Sequence, residues 1–495
     1  MRLSSLWKGL SKAAAPSGRF RSYLTILAVG SGARLFGLIS QFVVLIILSR
    51  FLSKESFGDL MTAFGFYRLA AAALGVGGSL VLLFHVSRRP DDRTAEIKLH
   101  RYSAMLGATA AAVVSLAGFL LAGPIADALD KPGLVVWFRQ LAPFAIFSSL
   151  LIISTGAIEG RSKISESILL GEVAPNAVRI VLLPAIALLN LPDEYFAHAL
   201  TVSVLVPWLW SGRGLWDRSV RGTKPWTGWD LSYCGKFAVA TMFANQLGAV
   251  DILVAGILFP SGVVADYALA ARIAALYSFF QLVLLKRFAP RAARLIEAND
   301  LGALRQELIV CRQFMIGCGS LAIGGILCVA PFLLPIFGNY AGAETFIVWL
   351  AIPTFVQSFY NTSDRLLIIA GRANVPLIVT TASFCVLTIM PFLTASLIGS
   401  VAIPAAMIAS AFLFNPIVAA RVQEIFAITT IGPREYLLMT IGSAALLTYA
   451  IAGTMAAGIA ACVLLAAIAA YCYASIIKWS SLIPSYAGKP EYLKD

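Results

Sequence analysis

Apolar stretches of roughly 20 residues, the length a helix needs to cross a hydrocarbon core, recur fourteen times along this chain. They fall near 23–48, 57–84, 103–123, 135–157, 168–190, 195–211, 236–259, 263–285, 313–337, 345–363, 375–397, 399–419, 436–454 and 457–477. The pattern predicts an all-α, polytopic membrane protein of about 14 transmembrane helices. The hydrophilic gaps are short, the longest being 85–102, 213–235 and 286–312, so no folded soluble domain fits between spans. A loose tail, 1–22, is expected before the first span and another, 481–495, after the last.

Charge gives this ladder a direction. Of the 38 lysines and arginines, 30 lie in the two tails and in every second gap. Four (Arg50, Lys54, Lys131 and Arg139) fall on the other side, and four more (Arg34, Arg68, Arg179 and Arg272) lie inside spans. Basic loops stay cytoplasmic during insertion, so both termini are expected inside. Only 13% of residues are charged and 59% are hydrophobic, against about 25% charged in soluble domains. The net charge of +13 is then mostly cytoplasmic excess facing anionic lipid headgroups, and nucleic acid need not be invoked. The seven cysteines show no metal-type spacing and read as packing residues.

The chain repeats itself weakly. LSKESFGDLMTA at 52–63 matches FPSGVVADYALA at 259–270, an offset of 207, and Gly160-Arg161 matches Gly371-Arg372 at 211. These offsets predict two parallel six-helix bundles, 23–212 and 236–420, joined by a cytoplasmic linker, 213–235, and followed by an extra helix pair, 421–480. Internal repeats of this kind typify transporters with a substrate site between the halves. Eleven prolines within spans favour helices that bend.

Arginine at mid-bilayer costs about 2.5–3.5 kcal/mol by insertion scales, so the four intramembrane arginines need a wet interior or partners. Helical spacing puts Gly30, Arg34, Gly37 and Gln41 on one face, and Arg68, Ala72, Gly75 and Ser79 on another. Glu172, Asn176 and Arg179 share a face, as do Ala268, Arg272 and Ala275. Only Glu172 and Asp251 are acidic well inside spans, which leaves a cationic lumen and implies an anionic guest. Arginine suits phosphate because its fork donates two parallel hydrogen bonds. A buried ion pair, with Glu172 beside Arg179, remains the competing expectation for that arginine. In the second half Asn245 precedes Asp251, and Thr354, Gln357, Asn361 and Asp364 share a stripe. An intramembrane Asp is either a proton or sodium site or a packing hydrogen bond. The tryptophans flanking the 213–235 linker read as an interfacial belt, and the three histidines are scattered.

These residues resemble a family. ILSRFLSKESFGDLMTAFGFYRLAAAALGVGGSLVLL (47–83), NQLGAVDILVAGILFPSGVVADYALAARIAAL (245–276), RFAPRAARLIEANDLGALRQE (287–307) and LLPIFGNYAGAETFIVWLAI (333–352) are similar to Wzx-type polysaccharide flippases of the multidrug/oligosaccharidyl-lipid/polysaccharide exporter (MOP) superfamily. The resemblance implies a V-shaped pair of bundles that moves an undecaprenyl-diphosphate-linked oligosaccharide across the bacterial inner membrane. It implies diphosphate binding by Arg34, Arg68 and Arg272, with Arg179 a fourth candidate. It also implies Na+ or H+ coupling at Asp251. The polar stripes themselves add Asn245 and Asp364 as further candidates for that coupling, and Gln41, Glu172, Asn176, Gln357 and Asn361 as polar lumen. Partners would be the lipid-linked oligosaccharide, membrane lipids, a polysaccharide polymerase and a chain-length regulator. The alternatives are a lipid II flippase, a cation-coupled multidrug exporter, and a membrane glycosyltransferase, which would need an acidic or His cluster on an external loop, where Asp127, Asp130, Asp193 and Glu194 are the only candidates. Transport, not covalent chemistry, is the expected activity.

Overall fold

The computed structural model describes residues 36–37, 39–89, 91–232, 249–372, 374–429 and 431–482. Among them the chain is all-helical, with no strand. The order is α1 (Ile39–Phe51), α2 (Lys54–Arg88), α3 (Arg93–Leu120), α4 (Ala122–Ala128), α5 (Leu134–Gly160), α6 (Ile164–Ile168), α7 (Ala174–Leu188) and α8 (Glu194–Ser211). It continues with α9 (Ala249–Leu258), α10 (Ser261–Ala274), α11 (Phe279–Glu297), α12 (Leu301–Phe337), α13 (Gly342–Ile369), α14 (Asn374–Ile398), α15 (Ala402–Phe426), α16 (Pro433–Ala452) and α17 (Met455–Leu482). Among the described residues eight helical segments are long and apolar enough to cross a membrane, and α1 and α9 are shorter apolar helices. The chain is a multi-pass membrane protein. Its largest apolar side chains often point outward, Leu397 at 81% and Phe332 at 79% exposure, the reverse of a soluble core and the arrangement a lipid environment stabilises.

Local sequence explains the interruptions. Pro175 has no N–H to give back along the helix, and a π-helical turn, Leu169–Val173, precedes it between α6 and α7. Between α14 and α15 the chain reverses through a short 3-10 turn in which Gly399 adopts φ +61°, a conformation costly for any residue with a Cβ. Asp300 caps α12 by accepting from the Ala303 N–H at 2.9 Å.

The described residues divide into two compact units. One contains residues up to 48 with 70–119 and 140–232, and the other 49–69, 120–139 and everything from 249 on. The second unit therefore takes in the first part of α2 and the first residues of α5. Within it α12 packs along α17, and α13 packs against α10, α12, α15 and α16. The extra helix pair is thus built into this unit. Glu435, at the start of α16, accepts from Arg312 at 2.8 Å and from Gln313 at 3.2 Å on α12.

Within the first unit, residues 212–232 are pinned to the ends of α2 and α3. Arg101 donates to three carbonyls of this segment, to Leu215 at 3.0 Å, to Asp217 at 2.7 Å and to Val220. His85 and Asp230 meet at 2.5 Å. Trp226 donates to Ser103 at 3.0 Å and packs against Val81, Leu82 and Ile153, while Trp229 stacks 4.3 Å from Phe84. These two tryptophans help dock the segment on α2 and α3. Asp230 is 1% exposed in its side chain. Burial alone would raise its pKa, but hydrogen bonds from Thr227 and His85 outweigh that and hold the carboxyl below its ordinary range.

Candidate functional site

Three of the residues singled out from sequence come together in the second unit. Asp251 stands on α9, Arg68 on α2 and Arg272 in the last turn of α10. The Asp251 side chain is almost wholly buried, at 2% exposure. Its Oδ1 accepts from the Ile252 N–H at 2.8 Å, and its Oδ2 accepts from the Tyr267 hydroxyl at 2.9 Å. The charges of Arg272 and Arg68 both act on this carboxylate. Both arginines are half-buried, whereas the carboxylate is buried.

Position within helices explains this. Tyr267 lies five residues before Arg272 on α10, and its ring is clamped edge-on against Phe346 at 5.4 Å, which fixes the hydroxyl toward Asp251. Gly65, three residues before Arg68 on α2, lies against Ala249 and Leu253 of α9, close enough to bring α2 alongside the carboxylate. Two cations sharing one carboxylate leave a net charge of about +1 if all three are ionised. The sequence offered Arg68 and Arg272 no acid on their own helices, and the charge that acts on both comes from Asp251 of α9.

The remaining candidates lie elsewhere. Arg179, in the first unit, donates to Ser203 at 2.9 Å and lies 3.4 Å from the Asn176 Oδ1. Asn176 in turn donates to the Glu172 carbonyl at 2.8 Å, which places Glu172 in the π-helical turn with an exposed side chain. Asn361 donates to Gln281 at 2.8 Å on α11, a partner that sequence reasoning missed. Gln41 and Gln357 are exposed, and Asp364 is half-buried beside Arg365. Arg34 and Asn245 lie outside the described residues. Tyr267 was also missed. Nothing in an apolar run marks one tyrosine as an acid's partner.

No cluster of three or more His, Cys, Asp or Glu suited to a metal occurs among the described residues. A carboxylate with two guanidiniums and a phenol is equipped to exchange one anion for another.

Comparison with known proteins defines the fold class. Residues 237–394 match the MatE family model. The fold is shared with a lipid II flippase MurJ in an inward closed conformation, at TM-score 0.68 and 12% identity over 93% of this chain and 100% of that one. It is shared too with an inward-facing multidrug resistance MATE family transporter of the MOP superfamily, at TM-score 0.64 and 15% identity over 78% and 95%. A third match is a MOP superfamily transporter from Pyrococcus furiosus, described by the reversed polarity of its binding pocket, at TM-score 0.56 and 16% identity over 80% and 95%. No curated protein matches the sequence significantly.

Proposed function

We propose that this protein is a flippase that carries an undecaprenyl-diphosphate-linked oligosaccharide across the bacterial inner membrane for polysaccharide assembly, by alternating access between two six-helix bundles, 23–212 and 236–420. The observation that supports this reading best is the half-buried pair Arg68 and Arg272, both of whose charges act on one buried carboxylate. A diphosphate offers two negative centres to two forked donors, which a drug-like organic cation cannot do. Arg34, one helix earlier, is proposed as the third member of the cradle and Arg179 as a fourth. Gln41, Glu172, Asn176, Gln357 and Asn361 are proposed to line the polar path for the sugars.

In this reading Asp251 is the anion that the empty site holds in place of substrate. A diphosphate entering between Arg68 and Arg272 competes with it, and a proton or sodium ion on Asp251 would favour the exchange. Asn245 and Asp364 are the further candidates for that coupling. The membrane lipids, the lipid-linked oligosaccharide, a polymerase and a chain-length regulator remain the proposed partners, with both termini in the cytoplasm.

A second reading, flipping of lipid II itself, is favoured by one observation: the MurJ structure covers more of this chain, and at a higher TM-score, than the two transporters compared with it. It uses the same diphosphate cradle. Deleting the gene and identifying the lipid-linked intermediate that accumulates separates them. A pathway-specific oligosaccharide lipid supports the first, lipid II with cell lysis supports the second, and unchanged lipids with altered drug susceptibility removes both.

A further inference from the structure

The basic residues that break the inside-positive pattern have a common fate. Of the four on the lysine-poor side, Arg50, Lys54 and Lys131 each reach another part of the second unit. Arg50 donates to the carbonyls of Ile336 at 2.7 Å and Pro335 at 2.9 Å, capping the C-terminal end of α12 where free carbonyls and the helix dipole attract a cation. Lys54 pairs with Asp266 at 2.8 Å. Lys131, which is buried, donates to the Gly256 carbonyl at 2.6 Å. Around them Tyr340 sits edge-on to Phe57 at 5.8 Å. Gly58 lies so close to α10 that a Cβ there would be 2.6 Å from the Ser261 carbonyl carbon.

These contacts have an order that repeats. The 207-residue offset between 52–63 and 259–270 makes Lys54 equivalent to Ser261 and Asp59 equivalent to Asp266. Lys54 of the first copy binds Asp266 of the second, and Ser261 of the second donates to Asp59 of the first. This is the reciprocal exchange expected of a two-fold contact, where i meets j and j meets i, here within one chain. The symmetry breaks at one position, where serine stands in place of lysine. The missing cation comes from elsewhere, since the charge of Lys131 acts on Asp59.

We propose that Lys54–Asp266 and Ser261–Asp59 are the two arms of a pseudo-symmetric latch that seals the outward mouth between α2 and α10, and that both must part for the mouth to open. The proposal rests on the reading of the chain as an alternating-access transporter, but not on its substrate. It gives the three stray cations a reason to persist on a side where insertion disfavours them: each is a hook.

The test uses the full chain in right-side-out proteoliposomes, with Ser261→Cys as reporter. The rate of modification by a membrane-impermeant maleimide is read by mass spectrometry on the peptide containing residue 261, so the native cysteines do not interfere. One arm is already weakened in this reporter, and Lys54→Gln or Asp266→Asn removes the other. A partly exposed pair of this kind predicts a roughly two- to fivefold faster modification. Lys54→Arg should leave the rate unchanged, and the exchange Lys54→Asp with Asp266→Lys should return it toward the reporter's own value. Equal rates in all variants, or modification only from the inner side, overturn the latch. On the unaltered chain, a zero-length carbodiimide should join the Lys54 amine to the Asp266 carboxyl as an amide. Failure to recover that linked peptide from an otherwise reactive protein counts equally against it. Unchanged polysaccharide export after deletion of the gene, with normal latch behaviour, would instead count against the substrate.

Discussion

The charges of Arg68 and Arg272 both act on the buried Asp251 carboxylate, which offsets part of their charge and leaves the three groups net positive if all are ionised. Arg68→Ala or Arg272→Ala should therefore abolish surface polysaccharide at near-normal protein level, and lysine at either site should restore part of it, because charge survives and the fork does not. Arg34→Ala is expected to behave alike. Asp251→Asn separates binding from turnover. Removing the internal competitor should strengthen retention of a diphosphate lipid by about tenfold or more, given that one lost charge–charge interaction of about 1.4 kcal/mol is a factor of ten, while export falls. Weaker retention by Asp251→Asn would show that the acid supports the cradle rather than competing for it. Each arginine was visible as a candidate in the chain, since a charge inside an apolar run stands out. Their shared acid was not: Asp251 lies 183 residues from Arg68 in sequence, and helical spacing reports faces of one helix, never the neighbour across the gap.

Element by element, the helices follow the apolar pattern closely, because the cost of exposing backbone polar groups to lipid leaves little else for such a run to become. The π-helical turn before Pro175 and the reversal at Gly399 were not foreseen as such. The segment 212–232 was read as a plain linker because neither period marks it, and its order comes from side chains on α2 and α3. Arg101→Ala should release it. Loss of three carbonyl contacts from a charged donor, at roughly 1–3 kcal/mol in total after solvent screening, predicts hydrogen exchange at 215–220 at least fivefold faster, with the ends of α2 and α3 unchanged. The Asp230 contact carries a pH dependence of definite sign. Because its folded pKa is depressed, its contribution is present above the ordinary carboxylate range near about 4 and is lost as pH falls below it. Exchange of amides 227–230 should thus be constant from neutral to mildly acidic pH once corrected for intrinsic rates, and rise only under stronger acid. Asp230→Asn should remove that rise. At α2, Gly58→Leu should force α10 away through overpacking and quicken external labelling of Ser261→Cys.

At the scale of the whole molecule, the lysine and arginine asymmetry and the weak internal repeat carry most of the architecture. Insertion chemistry writes the first into sequence, and duplication leaves the second. The 207 offset reappears in the structure as the reciprocal contacts of Lys54 with Asp266 and of Ser261 with Asp59, a use of the repeat that twelve loosely similar residues could not disclose alone. Substrate identity lies at this scale and in the charge of the cradle. The most direct measurement is lipid retention by the purified full chain in native mass spectrometry, comparing undecaprenyl diphosphate with the neutral alcohol undecaprenol. The account predicts marked preference for the diphosphate, lost in Arg68→Ala and in Arg272→Ala. Equal retention of both lipids, or a preference untouched by both substitutions, would contradict it.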